Sequence, residues 1–287
     1  MPRCLFASDL HGHIDRYETL VAEVRARTPA AVFLGGDLLP HGLRTVGTAE
    51  AEYADFLGDY LAPRLRALRA DLGGAYPRVF VILGNDDPRS EEPTVQALAD
   101  EGLWEYIHGR RATLAGWDVF GYACVPPTPF LLKDWERYDV SRYVDPGCVA
   151  PEDGRRTAPT PESELRYATI ADDLARLTGD GPLDRAILLL HTPPYRTALD
   201  RAALDGRVID HVPVDVHVGS IAVRRLIETR RPALVLCGHI HEAPRLTGTW
   251  RDRVGDTPCL TAAHDGPELA LVEFDPADPA AATRALR

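Results

Sequence analysis

Lysine is almost missing from this chain: of 32 Lys+Arg residues, only Lys133 is a lysine. Paired cysteines are missing too. The five cysteines (Cys4, Cys124, Cys148, Cys237 and Cys259) are odd in number and form no CxxC. That excludes a disulfide framework and predicts a reducing compartment. Cys4 and Cys237 lie in apolar runs and read as small core residues. No apolar run approaches the length that crosses a bilayer, so no membrane segment is expected. The first strand is predicted within a few residues of Met1, which leaves no room for a signal peptide and makes the cytoplasm the expected location. A basic surplus is absent as well. The formal charge is −11 at pH 7, which disfavours nucleic acid as a partner, because sequence-independent binding rests on Lys and Arg neutralising phosphates.

What the chain does have is apolar runs that stop abruptly. Hydrophobic residues make up 45% of 287 residues, enough for a substantial core. Continuous runs at Arg3–Ser8, Ala30–Leu34, Arg78–Leu83, Ala186–Leu190 and Ala233–Cys237 predict strands covered on both faces. Helices are expected from about Asp15, over about Ala49–Arg69 with a kink at Pro63, and over about Pro93–Glu101, Glu162–Leu177 and Val218–Thr229. Trp104–Ala123 reads as two or three short strands. Leu269–Phe274 reads as short strands followed by a fraying Ala/Pro tail. From about 125 to 160 no period holds. So long an irregular stretch suggests a functional loop, read here as an insertion overhanging a site. Phe130, Leu131, Trp135, Tyr138 and Tyr143 give it too much apolar surface for disorder. The alternation predicts an α/β fold of two stacked mixed sheets flanked by helices.

Each apolar run ends at metal-type side chains: Asp9 and His11, Asp37, Asn85, His191, then His239 and His241. Ligands in open α/β sheets bind beyond the carboxyl ends of strands. Two carboxylates, one amide oxygen and four imidazoles suit two adjacent ions, divalent or trivalent, with Mn, Fe, Zn or Ni the candidates. Such a pair clamps a phosphoryl group and generates a nucleophilic hydroxide. An acidic protein accepts a small phosphorylated substrate because the ions bring positive charge of their own. Each piece also has a plainer reading. Asp9 and Asp37 can be helix N-caps, His191 a satisfied core histidine, and His239 and His241 loop residues. All of these would have to hold at once.

The ordered set Asp9-x-His11, Gly36-Asp37, Gly84-Asn85, His191 and Gly238-His239-Ile240-His241 resembles the calcineurin-like metallophosphoesterases, over roughly residues 3–241. The resemblance implies a single metallophosphoesterase domain over 1–287. It implies a first metal on Asp9, His11 and His241, and a second on Asn85, His191 and His239. Asp37 would bridge them, one oxygen to each ion. His191-Thr-Pro-Pro-Tyr195 is similar to a run in bacterial members of the family.

Two departures matter. Many members carry a His after the Asn, implied to protonate the leaving group; here the run is Gly84-Asn85-Asp86-Asp87. Asp86 beside two dications should be ionised and a poor acid. His13 is a candidate donor in its place, against a plainer reading as a surface histidine, and His108, His217 and His264 are weaker candidates. The protein-phosphatase runs are also absent, which disfavours a phosphoprotein substrate and favours a phosphodiester or small activated phosphate. Lys133 and Arg196 are candidate substrate contacts, with Arg137, Tyr138 and Arg142 near Lys133 in sequence. A salt-bridged loop is the plainer reading of Lys133, and a surface arginine that of Arg196. The competing function is a metal-retaining scaffold that binds a partner with little turnover.

Overall fold

The computed structural model describes residues 3–40, 53 and 55–287. Its strands in chain order are β1 Cys4–Ala7, β2 Ala31–Gly35, β3 Arg78–Ile82, β4 Glu105–Tyr106, β5 Arg110–Leu114, β6 Trp117–Tyr122, β7 Ala186–Leu190, β8 Val208–Ile209, β9 Val212–Pro213, β10 Leu234–Cys237, β11 Arg251–Val254, β12 Thr257–Thr261, β13 Ala270–Asp275 and β14 Asp278–Leu286. The helices are α1 Ile14–Arg27, α2 Ala62–Leu72, α3 Glu92–Asp100, α4 Glu162–Tyr167, α5 Ile170–Thr178, α6 Ile221–Arg230 and α7 Ala243–Thr247.

Two six-stranded sheets form, ordered β14-β13-β1-β2-β3-β4 and β11-β12-β10-β7-β6-β5. β1, β2, β3 and β4 run parallel, as do β6, β7, β10 and β12. Antiparallel strands close three of the four edges. The pleat explains why the strand runs are apolar throughout. Phe6, Phe33, Phe80 and Ile82 of one sheet meet Ile187, Leu189, Leu234 and Leu236 of the other in a core between the sheets. The alternate residues Leu5, Val32, Val81, Leu188 and Val235 face outward under the helices, against Leu20 and Val24 of α1, Leu65 of α2 and Ile227 of α6. The result is a four-layer α-β-β-α stack, as the sequence predicts. No helix among the described residues is long and apolar enough to cross a membrane.

Three segments differ from expectation. The helix expected over about Ala49–Arg69 begins outside the described residues. What is described is a π-helical turn, Phe56–Leu61, followed by α2 with Pro63 in its first turn, where a missing N–H costs nothing. The helix expected over Glu162–Leu177 is broken at Ala168–Thr169, because the Thr169 side chain accepts from Asp172 N and starts a new helix. The Ala/Pro tail does not fray: β14 pairs antiparallel with β13 from Ala270↔Leu286 onward.

The aperiodic segment 125–160, read above as an insertion, packs against its neighbours. Trp135 and Tyr138 are buried, while Phe130 and Tyr143 are exposed. Its fixings are carboxylates on backbone N–H groups. Asp134 accepts from Arg89 N and Thr157 N. Asp139 accepts from Ile221 N, Ala222 N and Ser220 Oγ at the start of α6.

Candidate metal centre

All five ligand-bearing segments leave the carboxyl ends of parallel strands. The turns after β1 and β2 are laced together by Asp9 N to Gly36 O (2.9 Å), His11 N to Asp37 O (2.8 Å) and Gly12 N to Leu38 O (2.9 Å). Across the sheets, Gly238 N donates to His191 O (2.9 Å). The backbone is strained where it presents donors. Asp9 (φ 58°), His11 (φ 48°), Asp37 (φ 52°) and His239 (φ 76°) all lie in the left-handed region, which non-glycine residues hold only where surrounding structure enforces it. Gly84 is needed for space: a Cβ there would meet the Asp37 carboxylate and sit 2.7 Å from His191 Cε1.

The side chains gather into two groups. Asp9, His11, Asp37 and His241 each offer a donor atom within 4.8 Å of the others, and so do Asp37, His191 and His239. Asp37 is common to both. Its Oδ1 accepts from Asp86 N (2.8 Å). Its Oδ2 faces His191 Nε2 at 3.3 Å and His11 Nε2 at 3.9 Å. One oxygen therefore looks toward both groups, instead of one oxygen toward each. Asn85 joins the second group, with Oδ1 3.1 Å from His191 Nε2.

The donor chemistry tests whether cations fit. His191 Nδ1 lies 2.8 Å from Gly35 O. A carbonyl only accepts, so Nδ1 carries the proton and Nε2 of the neutral ring holds a lone pair. That lone pair points at two oxygens, Asn85 Oδ1 and Asp37 Oδ2. The arrangement is repulsive unless a positive charge lies between them. Without a cation a proton takes that place. Burial opposes it, but Asp37 and Asp9 outweigh burial and push His191 up to about 10. In the other group His11 Nε2 and His241 Nε2 stand 3.0 Å apart, and Asp9 Oδ1 is 3.2 Å from His241 Nε2. Burial works against ionising Asp9, yet His241 holds it down at about 2. His241 rises to about 8 against its own burial. Burial and the neighbouring His191 push His239 down to about 3. A cation that displaces the protons of His191 and His241 leaves neutral imidazoles beside anionic carboxylates, the forms that bind metal, so the residues present fit two cations sharing Asp37.

Supporting contacts include several that the sequence reading misses. Arg16, buried on α1, donates from Nη1 to Asp9 O (2.5 Å), from Nη2 to Gly266 O (2.5 Å) and from Nε to Pro267 O (3.3 Å). It therefore props the strained Asp9 from below. The available signal was its place four residues before Leu20, on the apolar stripe of the helix. Ser8 Oγ donates to Asp9 Oδ2. Asp87, fully buried, accepts from Leu38 N, Leu39 N and Gly84 N. Nothing in an Asn-Asp-Asp run distinguishes its second aspartate in advance.

The remaining candidates divide. Asp86 lies at the rim of the first group, its Oδ2 3.9 Å from His11 Nδ1. In the absence of cations, burial and the neighbouring Asp37 and Asp87 push it up to about 8. His13 is exposed at the N-terminus of α1, where its backbone carbonyl accepts from Arg16 N and Tyr17 N. Lys133 requires a correction. Its side chain is 0% exposed, with Nζ on Glu136 Oε2 and Thr128 O, so the ammonium serves the interior of the insertion and offers nothing to a substrate. Arg196 is exposed and stacks over Tyr195, 5.2 Å from the ring centroid. His108 is half-buried against Trp135 and accepts from Ala123 N. His217 pairs with buried Asp200 (2.8 Å), and His264 with Glu268 (3.0 Å).

Comparison with known proteins bears on the family and the fold. Uncharacterized protein MJ1162 of Methanocaldococcus jannaschii is 35% identical over 77 residues, which is 26% of this chain and 29% of that protein. The chain thus matches under a third of the length of that curated relative. The crystal structure of TT1561 of Thermus thermophilus superposes with a TM-score of 0.55 at 17% identity, covering 99% of this chain and 98% of that one. Another crystal structure reaches a TM-score of 0.59 at 15% identity, covering 100% and 99%. At these identities the likeness concerns the fold. A family model described as calcineurin-like phosphoesterase matches residues 2–243. Spanning most of the chain, including both groups of donors, this match establishes that the protein belongs to the calcineurin-like phosphoesterase family.

Proposed function

We propose that this chain hydrolyses phosphoesters at a centre of two metal ions, with a phosphodiester or a small activated phosphate as substrate. Asp9, His11 and His241 would hold one ion, and Asn85, His191 and His239 the other. Asp37 Oδ2 would be shared. The observation that carries the reading is that single oxygen, facing a histidine of each group. Two bound ions would supply positive charge for a phosphoryl group and a nucleophile at neutral pH. The chain's own residues set the stage. Gly35 O fixes the His191 tautomer, and the Asp86 amide holds Asp37 Oδ1 so that Oδ2 is left for the cations.

The substrate preference follows from residue 86. Asp86 stands where a proton donor would serve a poor leaving group, and cations close by favour its ionised form. A substrate whose leaving group needs little protonation suits such a site. Mn2+-loaded protein should therefore hydrolyse bis-p-nitrophenyl phosphate in preference to unactivated alkyl monoesters. The expected control is loss of that hydrolysis in Asp37→Ala. Wild-type protein inactive on both bis-p-nitrophenyl and p-nitrophenyl phosphate would sink the enzyme reading and leave the scaffold.

A further inference from the structure

We infer that Asp87 is the positioning residue that sets the separation of the two candidate ion sites, and that Trp135 of the insertion holds it there. This rests on the two-ion reading above. Asp87 is 0% exposed. Its Oδ1 accepts from Leu38 N (2.9 Å) and Leu39 N (2.7 Å), and its Oδ2 from Gly84 N (2.8 Å). Those amides belong to two different turns. Leu38 and Leu39 follow Asp37, the shared residue; Gly84 precedes Asn85, a donor of the second group. One carboxylate thus ties the turn that carries the shared oxygen to the turn that carries a ligand of one ion only.

The tie is reinforced from both sides. Asp86 N donates to Asp37 Oδ1 (2.8 Å), so the same Asn-Asp-Asp turn grips the shared carboxylate directly. Tyr17 Oη donates to Leu38 O (2.8 Å), fixing the other turn to α1. Asp87 itself is held through its carbonyl, which accepts from the buried Trp135 Nε1 (2.9 Å). The Trp135 ring is packed under the Arg89 guanidinium (5.1 Å) and against the edge of His108 (4.9 Å). The insertion therefore reaches the turn that spaces the donors. Metal–ligand distances tolerate only about ±0.2 Å, so a tie between these turns acts on ion separation before it acts on fold.

Asp87→Asn replaces one acceptor oxygen by an amide group facing N–H donors. Wild-type protein titrated with Mn2+ alone should bind two ions and give the low-temperature EPR spectrum of an exchange-coupled pair. In Asp87→Asn the second ion should bind roughly 10–100-fold more weakly, with the coupled spectrum lost and far-UV circular dichroism unchanged. Trp135→Phe, which removes the indole N–H together with the five-membered ring that carries it, should shift both readouts in the same direction by less. Asp87→Asn keeping both ions and the coupled spectrum, whatever happens to its Tm, would overturn the inference. If Asp87→Asn does not fold, Trp135→Phe decides: unaltered Mn2+ affinity and spectrum overturn the inference, and a weakened second site upholds it. Wild-type protein that fails to bind two coupled ions would instead defeat the two-ion reading, and this inference with it.

Discussion

The strand-end turns and the insertion lie at the same end of the molecule, yet they are held by opposite means. The turns are short, strained at Asp9, His11, Asp37 and His239, and crowded with like-charged and lone-pair-bearing groups. Their geometry stores conflict that a cation or a proton relieves. The insertion is long and aperiodic but internally satisfied. Lys133 is neutralised by Glu136 in the interior, and Asp134 and Asp139 spend their oxygens on N–H groups of neighbouring elements. On the proposed reading, frustration marks the region with chemistry to do, and saturation the region that supports it. This is why the chain's lone lysine, conspicuous in sequence, turns out to be structural.

That contrast can be broken by experiment. The largest effect is expected at Asp37→Ala, which should lower kcat/KM by at least roughly a thousandfold, about 4 kcal/mol, while circular dichroism stays native. A folded, active Asp37→Ala protein would end the assignment of chemistry to the turns. Lys133→Met should do the reverse. It strands buried Glu136 and should cost about 3–5 kcal/mol of stability, read by denaturant unfolding, with Mn2+ stoichiometry untouched. A third test uses pH. In metal-free protein His191 stays protonated up to about 10, against an ordinary 6.5. Its contribution is complete below about 6.5 and is lost as pH rises through 10. The Tm of metal-free protein should therefore fall between pH 7 and 10, and Mn2+ should abolish that fall by replacing the proton. An equal fall with and without Mn2+ would break the link. Asp139→Ala leaves the Ser220 cap of α6 but removes the carboxylate that accepts from Ile221 N and Ala222 N, and should cost about 1–2 kcal/mol, with hydrolysis per folded molecule unchanged. The smallest change is expected for Arg196→Ala: stability within about 0.5 kcal/mol, and KM for bis-p-nitrophenyl phosphate nearly constant. A rise in KM of about tenfold, 1.4 kcal/mol, would instead make Arg196 a substrate contact.

How much of this was legible in the sequence depended on whether the signal was local. Strands β1, β2, β3, β7 and β10 were readable because burial on both faces demands unbroken apolar runs, and the side chains just past each run were readable with them. Asp87 was not, since its partners are backbone groups that carry no residue code, and Arg16 showed only as a charge on the apolar stripe of α1, with nothing to name Asp9 O as its acceptor. For Lys133 the plainer reading, an ion pair within its own segment, is the one the structure matches, with the partner three residues away at Glu136. β14 was hidden because Ala and Pro are weak strand formers. Its pairing with β13 is a tertiary fact, as is the Thr169 cap that divides α4 from α5.

β1 comes long before β13 in the chain but has it as one of its two neighbours. On a ribosome, more than two hundred residues must follow before that flank is covered. Until then the strand that leads into Asp9 and His11 has one open edge. A chain shortened before Ala270 should therefore be prone to aggregate through β1, even though every proposed ligand would already have been translated.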